Sequence, residues 1–104
     1  MGATMQEDRF GLAFPSLAPG AVAPNTTAEQ TFTVPGLKVN DFVALAKPTL
    51  NAGAGIVNCR VSAADTLAVS YVNATSATVT PTTQVHALFW FRSEHAPNPP
   101  VVNP

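Results

Sequence analysis

Residues 55–73, GIVNCRVSAADTLAVSYVN, constrain the fold of this chain more than any other stretch. Val57, Cys59 and Val61 alternate with Asn58, Arg60 and Ser62. Leu67, Val69 and Tyr71 alternate with Ala68, Ser70 and Val72. A period of two places the two sets on opposite faces of a β-sheet and does not fit a helix. Between the runs, residues 62–66 are small or polar, and their side chains can hydrogen-bond nearby backbone as turns require. The stretch predicts an antiparallel hairpin with a longer loop. Val57, Cys59, Val61, Leu67 and Val69 are expected in the core.

The rest of the chain is cut into short pieces by ten prolines. Each fixes φ and lacks an N–H, so long helices are excluded wherever they cluster. In residues 1–25, Phe10, Leu12, Phe14, Leu17 and Val22 are interrupted by Pro15, Pro19 and Pro24. That segment is expected to be an extended arm with one short edge strand near Phe14. Residues 28–34 read as a strand closed by a Pro35-Gly36 turn. Residues 41–47 read as another, stopped by Pro48, which cannot join a central ladder. A short strand is expected around Thr78 and Val79, and the last strand over residues 84–92. Residues 93–104 hold four prolines and read as an extended tail.

Six or seven short strands without a helical period predict an all-β fold. The expected form is a small antiparallel β-sandwich, jelly-roll-like or immunoglobulin-like, with extended N- and C-terminal arms. Its expected parts are an arm at 1–25, the sandwich at 26–92 and a proline-rich tail at 93–104. A chain of 104 residues is enough for one core.

The last strand, QVHALFWFR, is apolar on both sides. In so small a sandwich one side meets the core and the other faces a partner. Phe89 and Phe91 are expected in the core. Leu88 and Trp90 are expected at a partner interface, together with Phe10 and Phe14 of the N-terminal arm and Val101 and Val102 of the tail.

Chemistry-bearing motifs are sparse. Cys59 is the single cysteine, so no intrachain disulfide framework exists, and its apolar setting suits a small core hydrophobe. His86 and His95 lack the ligand spacing of a metal site. No nucleophile elbow occurs, and Gly53-Ala54-Gly55 lacks the lysine and helix of a phosphate loop. The expectation is a non-enzyme with no metal and no cofactor. Asn25-Thr26-Thr27 and Asn73-Ala74-Thr75 fit the glycosylation pattern but are read as turn residues. Only 11% of residues are charged and the net charge is -1, so a phosphate-tracking basic surface is absent and nucleic acid is not an expected partner. No apolar run reaches the ~20 residues of a membrane span, and no secretory signal is read at the N-terminus.

Residues 34–37 (VPGL), Asp41, Lys47-Pro48, residues 51–73, Thr80-Pro81 and residues 89–92 follow one cadence. In it, a turn and strand lead to a long hairpin, a "TP" stop and an aromatic final strand. The pattern spans residues 31–92 and resembles small virion structural proteins of tailed bacteriophages. The resemblance implies a β-sandwich that coats or cements the capsid, or forms part of a fibre, and it brings no catalytic residues. The leading expectation is a capsid cement or decoration protein. It binds the outer head surface at joints between major capsid proteins and stabilises the shell. The expected partners are the major capsid protein and the chain itself as a homo-oligomer, dimer or trimer. The expected location is the virion surface, after synthesis in the host bacterial cytoplasm. The alternative is a head-fibre or tail-associated module that recognises a glycan or host surface. A small β-barrel enzyme or ligand-binding domain is a third reading, and it requires a deep pocket with converging polar groups.

Overall fold

The computed structural model describes residues 9–92. Eight strands are present: β1 (Arg9–Ala13), β2 (Ser16–Leu17), β3 (Thr26–Thr33), β4 (Phe42–Ala46), β5 (Ala54–Ala63), β6 (Thr66–Asn73), β7 (Gln84–Val85) and β8 (Ala87–Arg92). Among the described residues there is no helix, and so none long and apolar enough to cross a membrane.

The central hairpin is β5–β6, and β3 completes its sheet in the order β3-β6-β5. The connection is tighter than the expected loop. Only Ala64 and Asp65 lie between the strands, and Asp65 takes φ 60°, a left-handed conformation that Asp tolerates better than most residues. Asp65 also anchors the neighbouring turn. Its Oδ1 accepts from the Gly36 N–H at 2.7 Å, and its backbone bonds Val34 and Leu37. Gly36 takes φ 98°, a region that favours glycine.

The second sheet has the order β1-β8-β4, and β2 pairs with β7 alongside it. All pairings are antiparallel. β1 and β2 run against β8 and β7 as one ribbon broken at Pro15 and His86. Pro15 has no donor, but its carbonyl accepts from the His86 N–H at 2.9 Å and carries the ribbon across the break.

The two sheets enclose one core in a sandwich-like arrangement. Leu67, Val69 and Tyr71 from β6 and Val61 from β5 cluster with Val43 from β4 and Leu88 from β8. Leu17 and Val22 belong to the same cluster. Residues 9–25 were expected to be an arm outside the sandwich, yet they are part of it. β1 pairs with β8, β2 pairs with β7, and Val22 bridges Val79 through two backbone hydrogen bonds. That bridge is all the regular structure at Thr78 and Val79, where a strand was expected.

Three expected core residues, Val57, Phe89 and Phe91, are also corrected. Val57 is 58% exposed. A bulge between Ile56 and Asn58 inserts one residue into β5, so Val57 turns out and Ile56 takes the inward place. Cys59, Val61, Leu67 and Val69 keep theirs, with Cys59 only half-buried. In β8 the two faces are exchanged. Leu88 is fully buried and Trp90 packs against the core, while Phe89 and Phe91 stand on the outside.

Candidate interaction surface

The outer side of the β1-β8-β4 sheet is built in three rows by the strand register. Phe10, Phe91 and Phe42 form the first row. Leu12, Phe89 and Ala44 form the second. Ala87 and Ala46 lie in the third, and Phe14 follows β1 at the next outward position. Period-two geometry sends Arg9, Gly11, Trp90, Arg92 and Val43 to the opposite side. No polar or charged side chain therefore interrupts this face within the three strands. Phe10, Leu12, Phe14 and Phe42 are 60–68% exposed. Phe10 and Phe89 meet across the strands with ring centroids 6.3 Å apart. Leu12, Ala44, Ala46, Ala87 and Phe89 line a shallow apolar hollow of about 230 Å³.

The outer side of the β3-β6-β5 sheet has the opposite character. It carries Thr27, Glu29, Thr31, Ser70, Asn58 and Arg60, with Ala68 and Val72 among them and the bulged Val57 turned out. Arg60 donates to both carboxylate oxygens of Glu29 at 2.9 Å, across the intervening β6 strand. That hydrogen bond holds the Glu29 carboxyl below the usual carboxylate range. The sandwich thus has one largely polar outer side and one apolar outer side.

The residues expected at an interface divide accordingly. Phe10 and Phe14 are exposed. Leu88 and Trp90 point inward and are not on this face. Val101 and Val102 lie outside the described residues. Leu12, an apolar anchor of the expected arm, also lies on this face, whereas Phe42, Ala44, Ala46, Ala87, Phe89 and Phe91 were missed. The signal for them is the size alternation in β1, where Phe10, Leu12 and Phe14 flank Gly11 and Ala13. A small residue next to a Trp across the ladder marks the crowded, inward side.

The inward side carries the polar work of the sheet. Arg92 grips Asp41 through Nε and Nη2, both at 2.7 Å, and donates to the Gly36 carbonyl at 2.8 Å. Its guanidinium lies 5.1 Å from the Trp90 ring centre. The Arg92 hydrogen bond holds the Asp41 carboxyl below the ordinary value.

Other chemistry-bearing groups do not converge. Among the described residues, no group of three His, Cys, Asp or Glu side chains sits together as a metal site. His86 is buried, and its Nδ1–H donates to the Gln84 carbonyl at 2.9 Å. Its Nε2 and the buried Tyr71 hydroxyl have no hydrogen-bond partner among the described residues. Burial pushes the Tyr71 hydroxyl up to about 12. A cleft of about 510 Å³ lies between β4 and β5. Cys59 Sγ within it donates to the Val43 carbonyl at 3.5 Å, and burial pushes the thiol up, away from the reactive thiolate. Asn73 is buried in its turn, so the Asn73-Ala74-Thr75 pattern serves structure there.

No protein family, curated protein or solved structure matches this chain.

Proposed function

We propose that this chain is a non-enzymatic shell protein of a tailed-phage virion. It acts as a cement or decoration protein on the outer head surface, at joints between major capsid proteins. The observation that carries the reading is the contrast between the two outer faces. A sheet face paved with Phe10, Leu12, Phe42, Phe89 and Phe91 is costly in water and is stable when protein covers it. The resemblance to virion proteins supports the same reading, because its residues build the framework: residues 54–73 form the β5–β6 hairpin and residues 89–92 end β8.

The mechanism is linkage. A protein that binds only the assembled shell stabilises it by RT ln(1 + [L]/Kd) per site. Repetition over many joints multiplies the effect. Glycan recognition fits less well. It needs an aromatic platform beside hydrogen-bonding groups, and the exposed aromatics of this sheet lie on a face without polar side chains.

The test is co-sedimentation of the full chain with purified phage heads over a range of concentrations. The expected result is saturable binding at a fixed copy number, with heads made more resistant to heat or chelation. Absence of binding to heads at every stage of maturation would remove this reading.

A further inference from the structure

We infer that the apolar face of the β1-β8-β4 sheet is closed by a second copy of this chain, packed face to face about a two-fold axis running across the strands. The inference rests on the shell-protein reading and names the first partner of that surface.

The amount of surface matches such a partner. Phe10, Leu12, Phe14 and Phe42 are each about two-thirds exposed. With Phe89, Phe91 and the alanines, the face offers roughly 700 Å² of apolar surface, close to the about 800 Å² per partner of a standard stable interface. A two-fold contact presents the same patch twice, so any charge on it meets its own copy. Within the three described strands this face has no charge to repel itself.

Shape then selects the axis. The sheet is tall at one end, where Phe10, Phe91 and Phe42 stand in a row. It is low at the other end of β4 and β8, where Ala46 and Ala87 lie side by side. The rows are about 13 Å apart, four residues along a strand. A two-fold axis along the middle row, through Leu12, Phe89 and Ala44, reverses the strands of the second copy. Phe42 of each copy then sits over Ala46 of the other, Phe91 over Ala87, and Phe10 beside Phe14. The hollow beside Ala44, Ala46 and Ala87 receives the partner's ring. An axis parallel to the strands instead sets one phenylalanine row on another and leaves both low ends unfilled.

Ala44 lies on that axis, exposed on the outer side of β4, and meets its own copy. The two-copy unit leaves the polar β3-β6-β5 faces outward. It presents two equivalent attachment surfaces, which suits a protein that bridges a joint.

The experiment is sedimentation equilibrium of the full-length chain and of Ala44→Asp and Ala44→Lys, each checked for a folded β spectrum. Wild type is expected as a dimer. Each variant alone is expected to associate at least tenfold more weakly, and an equimolar mixture of the two to recover a dimer. A monomeric or trimeric wild type overturns the inference, as does an Ala44→Asp protein that dimerises like wild type or a mixture that fails to recover. Head binding is measured in parallel. Heads saturated by a wild-type monomer leave the shell reading standing without the dimer. A wild-type dimer that ignores heads leaves the dimer and removes the shell reading.

Discussion

Gly11 lies directly across the β1–β8 ladder from Trp90, and the indole fills the space that a side chain at position 11 would take. A Cβ there meets Trp90 Cζ2 and Nε1 at 3.0 Å. This pairing makes room for the indole on the packed, inner face of β8. The largest side chain of the strand lies opposite a residue with none.

Gly11→Ala is therefore expected to destabilise the fold by about 1–3 kcal/mol, the usual cost of overpacking. The same change should cost clearly less in a Trp90→Leu background. Urea unfolding of the four proteins in this double-mutant cycle measures the coupling. Equal costs in both backgrounds would mean that the indole does not occupy that space.

Adjacent residues of β8 should behave as opposites. Leu88 is fully buried, so Leu88→Ala is expected to cost about 2–5 kcal/mol. Phe89 stands on the outer face, so Phe89→Ser should cost the isolated chain far less while weakening self-association. Denaturant midpoints of the two variants at low protein concentration check the order, and a reversed order would return the faces to their sequence-based assignment.

The Asp41–Arg92 pair predicts an acid-sensitive element. Asp41 is held below its ordinary value, first by the Arg92 hydrogen bond and further by the Lys38 N–H. The folded chain then binds fewer protons than the unfolded one. The contribution is complete above about pH 4, the unfolded carboxylate value, and is lost as pH falls through the lowered folded value. Stability of wild type should drop with acid in that window more steeply than that of Asp41→Asn. At neutral pH, Arg92→Ala is expected to cost about 3 kcal/mol, because the Asp41 side chain, 1% exposed, keeps a buried charge without its partner.

Asn73 closes the turn after β6 with all four of its polar positions used. Its Nδ2 donates to the Val22 and Ala77 carbonyls, and its Oδ1 accepts from the Thr75 N–H and hydroxyl. Asn73→Ala should cost about 2 kcal/mol. Asn73→Asp, although nearly isosteric, should cost more at neutral pH, since an ionised carboxylate has no proton for either carbonyl. Thermal unfolding of both variants tests the order.

Much of this architecture is legible in the residues themselves. The alternation in residues 55–73 marks β5 and β6, and Pro48 stops β4 where expected. The failures have local physical causes. A bulge at Val57 shifts the period by one residue, and nothing in a run of alternating apolar residues announces it. β8 is apolar on both sides, so periodicity cannot choose its inner face, and the residue that leaves room for Trp90 there, Gly11, is nearly eighty residues away in sequence. β2 and β7 are two residues each, and β2 seats Leu17 in the core without a local pattern to announce it. The same tertiary pull turns the expected arm into part of the sandwich. The apolar outer surface was only partly visible: Phe10 and Phe14 were expected as anchors of an arm and are exposed, while Leu88 and Trp90, expected at a partner contact, face the core.

The most direct test of the central claim is hydroxyl-radical footprinting of this protein on intact heads, compared with the dissociated, monomeric protein. The account predicts strong protection of Phe10, Leu12, Phe42, Phe89 and Phe91 in the particle. Equal reactivity of those five residues in both states would contradict it.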